Sequence, residues 1–491
     1  MDSVLLHQII DFGEEAAIAF HDEPAVTYGQ LRREVARVRD YLYQTGIRHG
    51  ENVGLLLRNS PEFVYSYMAI VSLGALVVPI NYQLTAQEVG FIVKDAGMKH
   101  LIVSQPLDLT AALAAYDYPV KVSQHPVAQI GGFETSPAKV APTLDDQIGE
   151  DDPCTIIYTS GTTGNPKGAV LTHKSLVSDA ECFSQAMPVS EQDNILCILP
   201  LYHCLAWTCI ILSGFLHKSS VTILDTFVPK DVIAGIRKYQ VTVMYGVPSV
   251  YGLLLKTASA EDLKSLRLFM SGGASLPQQV AEEFQRKFGI GVTEGYGLSE
   301  ASPVVATNPQ HRAKHLSIGL PIPGVSVRIV DPDGKDLPDG EVGELVVRGP
   351  NVMQGYFNLP EETARTMRDG WLHTGDLAYR DEEGYLFIKD RLKDMIITHG
   401  ENIYPREIEE LLYRYPGVVE AAVIGRPDPV RGQMVWAYLV FQEGQVLDKK
   451  AIKAYLRGKL AAYKIPREYV QLAALPKNQS GKIMKRMLTE A

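Results

Sequence analysis

A surplus of cations, metal-ligand spacing, internal repeats and an uninterrupted apolar span are all missing from this chain of 491 residues. With 47 Lys and Arg against 57 Asp and Glu, the net charge is −10; no broad basic surface is available to hold nucleic acid, and a polyanionic ligand must be met locally. The cysteines number only five, without CxxC or metal-ligand spacing. Cys154, Cys182, Cys197, Cys204 and Cys209 fall in one apolar region, which predicts buried, reduced thiols. The opening Met-Asp-Ser-Val-Leu-Leu-His has no basic stretch ahead of an apolar one, so no signal peptide and a cytoplasmic location are expected. The one long apolar run, Leu196 to Leu216, is interrupted at Pro200, His203 and Ser213; it reads as a strand and then a buried helix, with no integral membrane segment.

What the chain does have is ordinary globular composition, 46% hydrophobic and 21% charged, over a length that implies a large core and more than one domain. Its first part alternates strand-like and helix-like units. Asn52 to Leu57 reads as a strand, Ser60-Pro-Glu as a helix cap and first turn, Phe63 to Leu73 as the helix, and Leu76 to Ile80 as the next strand after a stop at Gly74. From Gly131 to Pro153 the composition turns to Gly, Pro, Thr and acids, predicting an exposed connection. Gly324 to Val330, a turn at Asp331-Pro-Asp-Gly334, and Gly343 to Gly349 predict a hairpin-rich β region. The last hundred or so residues predict a compact α+β module: a helix over Pro405 to Tyr415, strands over Val419 to Gly425 and Met434 to Gln442, and a helix over Lys449 to Ala462.

Chemistry concentrates first in Tyr158-Thr-Ser-Gly-Thr-Thr-Gly-Asn-Pro-Lys-Gly168. Its glycines allow tight turns with N–H groups against phosphate oxygens, Ser160, Thr162 and Thr163 add hydroxyl donors, and Lys167 adds charge. It is not the familiar P-loop, because Gly168 follows the lysine where that motif requires Ser or Thr. The segment resembles the phosphate loop of the adenylate-forming ligases, the superfamily of acyl-CoA synthetases, luciferases and peptide-synthetase adenylation domains. Glu294-Gly-Tyr-Gly-Leu-Ser-Glu300, Thr374-Gly-Asp-Leu377 with Arg391, Lys393, Gly400-Glu-Asn-Ile-Tyr-Pro405 and Leu475-Pro-Lys-Asn-Gln-Ser-Gly-Lys-Ile483 resemble the family's other motifs, in the family's order.

The resemblance implies an α/β fold: a large N-terminal domain of α/β subdomains with a small β-barrel lobe (1–390), then a mobile α+β C-terminal domain carrying the catalytic lysine (391–491). It implies that ATP is held by Thr159, Ser160, Gly161, Thr162, Thr163, Gly164, Lys167, Gly273, Ala274, Glu294, Gly295, Tyr296, Gly297, Ser299, Asp376, Arg391 and Lys482. In it Tyr296 packs on the adenine, Asp376 accepts from the ribose hydroxyls, and Glu300 holds Mg²⁺. Lys482, Thr163, Glu300 and His203 are the implied catalytic residues, with Lys482 also a candidate for silencing by acetylation. Lys393 is the implied hinge, and Gly400 and Glu401 the implied CoA contacts, with His399 standing where many relatives have glycine.

The acyl group is expected against His203, Trp207, Gly246, Val247 and Gly272. Beyond His203, the three segments concerned (199–207, 245–249 and 271–274) contain no Arg, Lys or His to pair a second carboxylate, which disfavours a diacid. Trp207 resembles the tryptophan that gates an acyl tunnel in some bacterial long-chain enzymes; as a core filler it would carry no such meaning. The expected function is ATP-dependent activation of a medium- or long-chain fatty acid to acyl-AMP and transfer to CoA. The alternatives are an aryl or short-chain acid–CoA ligase, or a ligase loading a carrier protein. A homodimer and transient docking on membranes are left open.

Overall fold

The computed structural model describes residues 4–22, 24–134, 140–159, 166–225, 227–398, 401–429, 431–477 and 483–489. The described residues of the N-terminal part build on two large sheets. In the nine-stranded one, Val292–Gly297, Leu268–Ser271, Val243–Gly246, Asn194–Cys197, Ser220–Ile223 and Ile18–Phe20 run parallel, with antiparallel strands Val304–Thr307 and Leu320–Pro321 at one edge and Val26–Thr27 at the other. In the seven-stranded one, Pro153–Thr159, Leu76–Pro79, Asn52–Leu56, His100–Val103 and Ser123–Pro126 are parallel, and Lys167–Thr172 and Gly355–Tyr356 extend it antiparallel.

The expected strand–helix–strand unit is present: the helix Pro61–Ser72 starts where the Ser60 hydroxyl accepts from Phe63 N, with Pro61 in the first turn. This helix is buried almost all round, because it lies in the core shared by the two sheets. The long apolar run resolves into the strand Asn194–Cys197 and a helical stretch from Cys204 to Leu216, with a π-helical turn over Trp207–Leu212. No helix among the described residues is long and apolar enough to cross a membrane. The cysteines are free thiols, four buried and Cys182 half-buried.

A five-stranded antiparallel sheet follows, containing the predicted hairpin Ser326–Val330/Gly343–Arg348 together with Trp371–Arg380, Met367–Arg368 and Leu386–Arg391. The C-terminal part has its own sheet, Glu401–Ile403, Ile396–Thr398, Gly432–Phe441 and Val418–Asp428, with Glu468–Gln471 parallel to Gly432–Phe441. It also has its own apolar cluster, drawn entirely from residues between Ile396 and Tyr469. The predicted helix from Lys449 stops at Leu456 rather than Ala462, because Gly458 takes a left-handed conformation (φ 85°) that turns the chain out of the helix. The expected exposed connection after Gly131 is partly docked instead: Ala141 is buried and its N–H donates to Asp40 Oδ1 at 2.9 Å.

Candidate active site

The strands on either side of the phosphate loop are antiparallel partners. Pro153–Thr159 leads into it and Lys167–Thr172 leaves antiparallel, with Thr159 opposite Lys167. The Thr159 hydroxyl donates to Lys167 O at 3.4 Å, closing the base of the turn. Ser160, Gly161, Thr162, Thr163 and Gly164 lie outside the described residues, as do Gly400 and Lys482.

Lys167 is ion-paired with Glu362 and stands 5.4 Å from the centroid of the Tyr356 ring. The Tyr356 hydroxyl in turn donates to Glu300 Oε1 at 2.8 Å. Burial and the neighbouring Glu300 push the Tyr356 hydroxyl well above its usual range, so it remains a donor. The segment doing this is fixed by the strand pair Gly355–Tyr356/Lys167–Thr172 and by Phe357 N–H on Gly168 O at 2.7 Å. Tyr356 and Glu362 thus join the lysine of one motif to the acid of another. Neither was expected from the sequence, where they sit in an unremarked Gly-Tyr and Pro-Glu-Glu stretch.

Glu300 is half-buried, and among the described residues no group of three His, Cys, Asp or Glu could enclose a metal ion. A single carboxylate with nucleotide oxygens and water is a donor set that suits Mg²⁺, which keeps several waters and binds phosphates. Ser299 lies beside it, its Oγ 3.4 Å from Cys204 Sγ.

A second cluster joins the nine-stranded sheet to the five-stranded one. Tyr296 Oη donates to Asp376 Oδ2 at 2.5 Å, and Arg391 Nε pairs with Asp376 Oδ1 at 3.3 Å. Asp376 and Arg391 are direct cross-strand partners, and the left-handed Gly375 (φ 70°) lets its carbonyl accept from Leu392 N–H. Burial raises the Tyr296 hydroxyl further from ionisation, keeping it a donor to the carboxylate.

His203, expected at the acyl group, caps a short helical turn, its Nδ1 accepting from Leu205 N–H at 3.3 Å. A side chain added at Gly272 would meet Leu205 and Met270, at Gly273 Val247, and at Gly246 the Tyr251 ring and hydroxyl. Gly273 has φ of 75°, a conformation that favours glycine, and Ala274 is exposed beside it. Asn59 ties this region to the other sheet, donating to Leu199 O and accepting from Leu201 N–H, another residue that no motif indicated. Trp207 is 1% exposed, stacked on Tyr67 with centroids 3.7 Å apart, and its indole N–H has no partner among the described residues.

Glu294 turns its buried carboxyl to Leu276 N–H and to Arg406 of the C-terminal module, leaving Gly295 and Gly297 to continue the strand. Arg406 also donates to Ile388 O at 2.9 Å, and Arg414 bonds Gln278, so this face seats the module. Lys393 lies exposed in the turn after Arg391. Glu401 is exposed on a strand that pairs within the C-terminal sheet, away from the hydrogen bonds that join Tyr296, Asp376 and Arg391.

Burial, only partly offset by Arg406, pushes the Glu294 carboxyl up to about 7. The folded chain therefore keeps a proton that the unfolded chain loses above about 4.5. Stability falls as pH rises from there through about 7, and stays lower above it. Glu294→Gln is expected to raise Tm relative to the parent at pH 8, by an amount equivalent to about 2–3 kcal/mol, with the gap narrowing at pH 5. Differential scanning calorimetry at the two pH values checks this; a gap independent of pH rules it out.

A family model for AMP-binding enzymes matches residues 7–357, and one for the AMP-binding enzyme C-terminal domain matches 407–482. Feruloyl-CoA synthase of an Amycolatopsis species is 38% identical over 470 residues, covering 95% of this chain and 94% of that protein. A long-chain-fatty-acid–CoA ligase of Bacillus subtilis (strain 168) is 34% identical over 530 residues, covering 100% of this chain and 94% of that protein. Among solved structures, ATP-bound MatB from Rhodopseudomonas palustris superposes with a TM-score of 0.91 at 32% identity, covering 100% of this chain and 99% of that one. The apo form of the same protein, at the same identity and coverage, gives 0.80.

Proposed function

Since the chain belongs to the AMP-binding enzymes of the adenylate-forming superfamily, we propose that it activates a medium- or long-chain fatty acid, working as an AMP-forming acid–CoA ligase. The carboxylate oxygen attacks the α-phosphorus of ATP, pyrophosphate leaves, and the thiol of CoA then displaces AMP from the acyl carbon. Joining two anions requires charge to be offset and groups to be aligned. Lys167 and Thr159 with the loop between them take the phosphates, and Tyr296, Asp376 and Arg391 take the nucleoside. His203 stands at the carboxylate, and Lys482 bridges it to the α-phosphate. Mg²⁺ held at Glu300 supplies neutralisation of phosphate charge. We place the domain division at Asp390/Arg391, with Lys393 as the hinge and Gly400 and Glu401 toward the pantetheine arm.

The observation that carries the fatty-acid reading is the wall around Gly246, Gly272 and Gly273, formed by Leu205, Met270, Val247 and Tyr251, with no cation beyond His203 in the three segments. Such a wall recognises length and apolar area. An aryl acid is the second reading, favoured by the stacked, enclosed Trp207 and by the likeness to feruloyl-CoA synthase.

AMP release over a panel from acetate to palmitate, plus benzoate, cinnamate and ferulate, each with and without CoA, decides between them. CoA-dependent turnover is expected to be greatest with acids of about 8 to 16 carbons, since each buried methylene contributes ~0.8 kcal/mol. Trp207→Ala is expected to shift the optimum to longer chains. A preference for ferulate that Trp207→Ala weakens would overturn the fatty-acid reading.

A further inference from the structure

Beneath the loop that carries Ser299 and Glu300 lies an acid that no motif singles out. Asp179, on the helix His173–Ala186, is fully buried, and no cation is among the groups that act on it. Its carboxyl accepts from Val304 N–H, at 3.1 Å to Oδ1 and 3.2 Å to Oδ2, and from Asn351 Nδ2 at 3.0 Å. Asn351, also fully buried, has the same amide nitrogen 2.9 Å from Ala301 O and 2.8 Å from Val304 O.

Other groups finish the cradle. Met353 N–H donates to Glu300 O at 2.9 Å, Thr208 Oγ1 to Ser302 O at 2.6 Å, and Leu298 N–H to Pro303 O at 2.9 Å. The carbonyls of Glu300, Ser302 and Pro303 are therefore each taken, by groups from the segment after Arg348, the π-helical turn and the loop itself, while the two hydrogens of the Asn351 amide are shared among Ala301 O, Val304 O and Asp179 Oδ1. Burial without a cation pushes the Asp179 carboxyl well above the usual carboxylate range, so it keeps its proton, and apolar side chains could fill the same volume without burying a polar group at all. That buried polar group lies beneath the loop whose Glu300 is read above as the carboxylate for Mg²⁺.

We propose that Asp179 and Asn351 are positioning residues for Glu300, holding the 299–304 loop so that its carboxylate is preset for Mg²⁺·ATP. The inference rests on the reading of Glu300 given above. Neither side chain touches substrate; each acts through the loop.

The test is calorimetric binding of ATP in Mg²⁺ and in EDTA, with AMP binding and Tm alongside, for the parent, Asn351→Ala, Asp179→Ala, Asp179→Asn, Thr208→Val and Glu300→Gln. Asn351→Ala and Asp179→Ala are expected to reduce the Mg²⁺-dependent gain in ATP affinity about tenfold or more, as outer partners of metal ligands do. Asp179→Asn, which keeps an oxygen for Val304 N–H, recovers much of that gain. AMP binding stays near the parental value, because Tyr296, Asp376 and Arg391 are untouched, whereas a merely structural loss would lower both nucleotides together. Thr208→Val preserves shape while removing one tether; it is expected to act in the same direction and carries the test if the alanine variants do not fold. Folded variants that keep the full Mg²⁺-dependent gain, or lose ATP and AMP binding in equal proportion, overturn the inference. If Glu300→Gln itself keeps the whole gain, the reading of Glu300 falls and the inference with it. Loss in Glu300→Gln but not in the others removes the inference alone.

Discussion

Replacing Asp376 by alanine is expected to lower kcat/KM for ATP by about 100-fold or more, roughly 3 kcal/mol of lost interaction. The carboxylate is 5% exposed and holds both the Tyr296 hydroxyl and Arg391 Nε. Its removal leaves the Tyr296 hydroxyl and Arg391 without their acceptor and, on the proposed ribose reading, takes away the natural acceptor for a diol. Part of the Arg391 contribution is screened by water, since that side chain is 39% exposed, so the Tyr296 bond is the larger share. Tyr296→Phe, which removes one hydrogen bond and keeps the ring, should cost only about tenfold. Steady-state kinetics with ATP varied, and the acid's KM followed alongside, separates nucleotide binding from general damage. ATP affinity unchanged in Asp376→Ala would end the ribose assignment.

Gly297→Ala is the second large effect. A Cβ at that position would stand 2.0 Å from Pro303 O and 2.8 Å from Pro303 C, both backbone atoms, so the turn must open. Pro303 O is also the acceptor for Leu298 N–H, so the bond that closes the loop is lost in the same movement. Ser299 and Glu300 lie inside that turn, and displacement of catalytic groups by about 1 Å can cost ~100-fold in rate. The expected result is a fall in kcat of that order, with the fold retained by circular dichroism. Gly289→Ala makes the control: Gly289 is left-handed (φ 78°), but an added Cβ there meets nothing within 4 Å. It should cost about 1 kcal/mol of stability and leave turnover unchanged. Equal turnover in the two variants would show that the loop accommodates the methyl group.

Much of this architecture is legible in the sequence wherever the determinants are local. Ser60-Pro61 announces its helix, the Asp331 to Gly334 turn its hairpin, and Gly458, read more strictly, the true end of the helix from Lys449. The residues proposed for the nucleotide stand out for a different reason, because each motif is contiguous and its residue types match a chemical task. What escapes is everything joined across long separations. Lys167 finds Glu362 through 195 residues of chain, Asp179 finds Asn351 through 172, and Glu300 finds Tyr356 only because a two-residue strand zips onto the edge of a sheet begun nearly 300 residues earlier. No periodicity or spacing encodes such meetings; they follow from sheet order. Trp207 illustrates the intermediate case, predicted as important but lying flat on Tyr67, a partner the sequence does not indicate.

The C-terminal module does not share its apolar core with the rest of the molecule, and its seat is made of such groups as Arg406 on Ile388 O and Arg414 on Gln278. A body attached in this way can leave its seat without wetting a core, since water replaces the contacts it gives up almost one for one. With Lys393 as the hinge proposed above, two orientations of the module would be nearly isoenergetic, and the occupant of the proposed nucleotide site, rather than the fold, would set the balance between them. On the hinge reading proposed above, economy of attachment is what would let one lobe serve one half-reaction and return for the other.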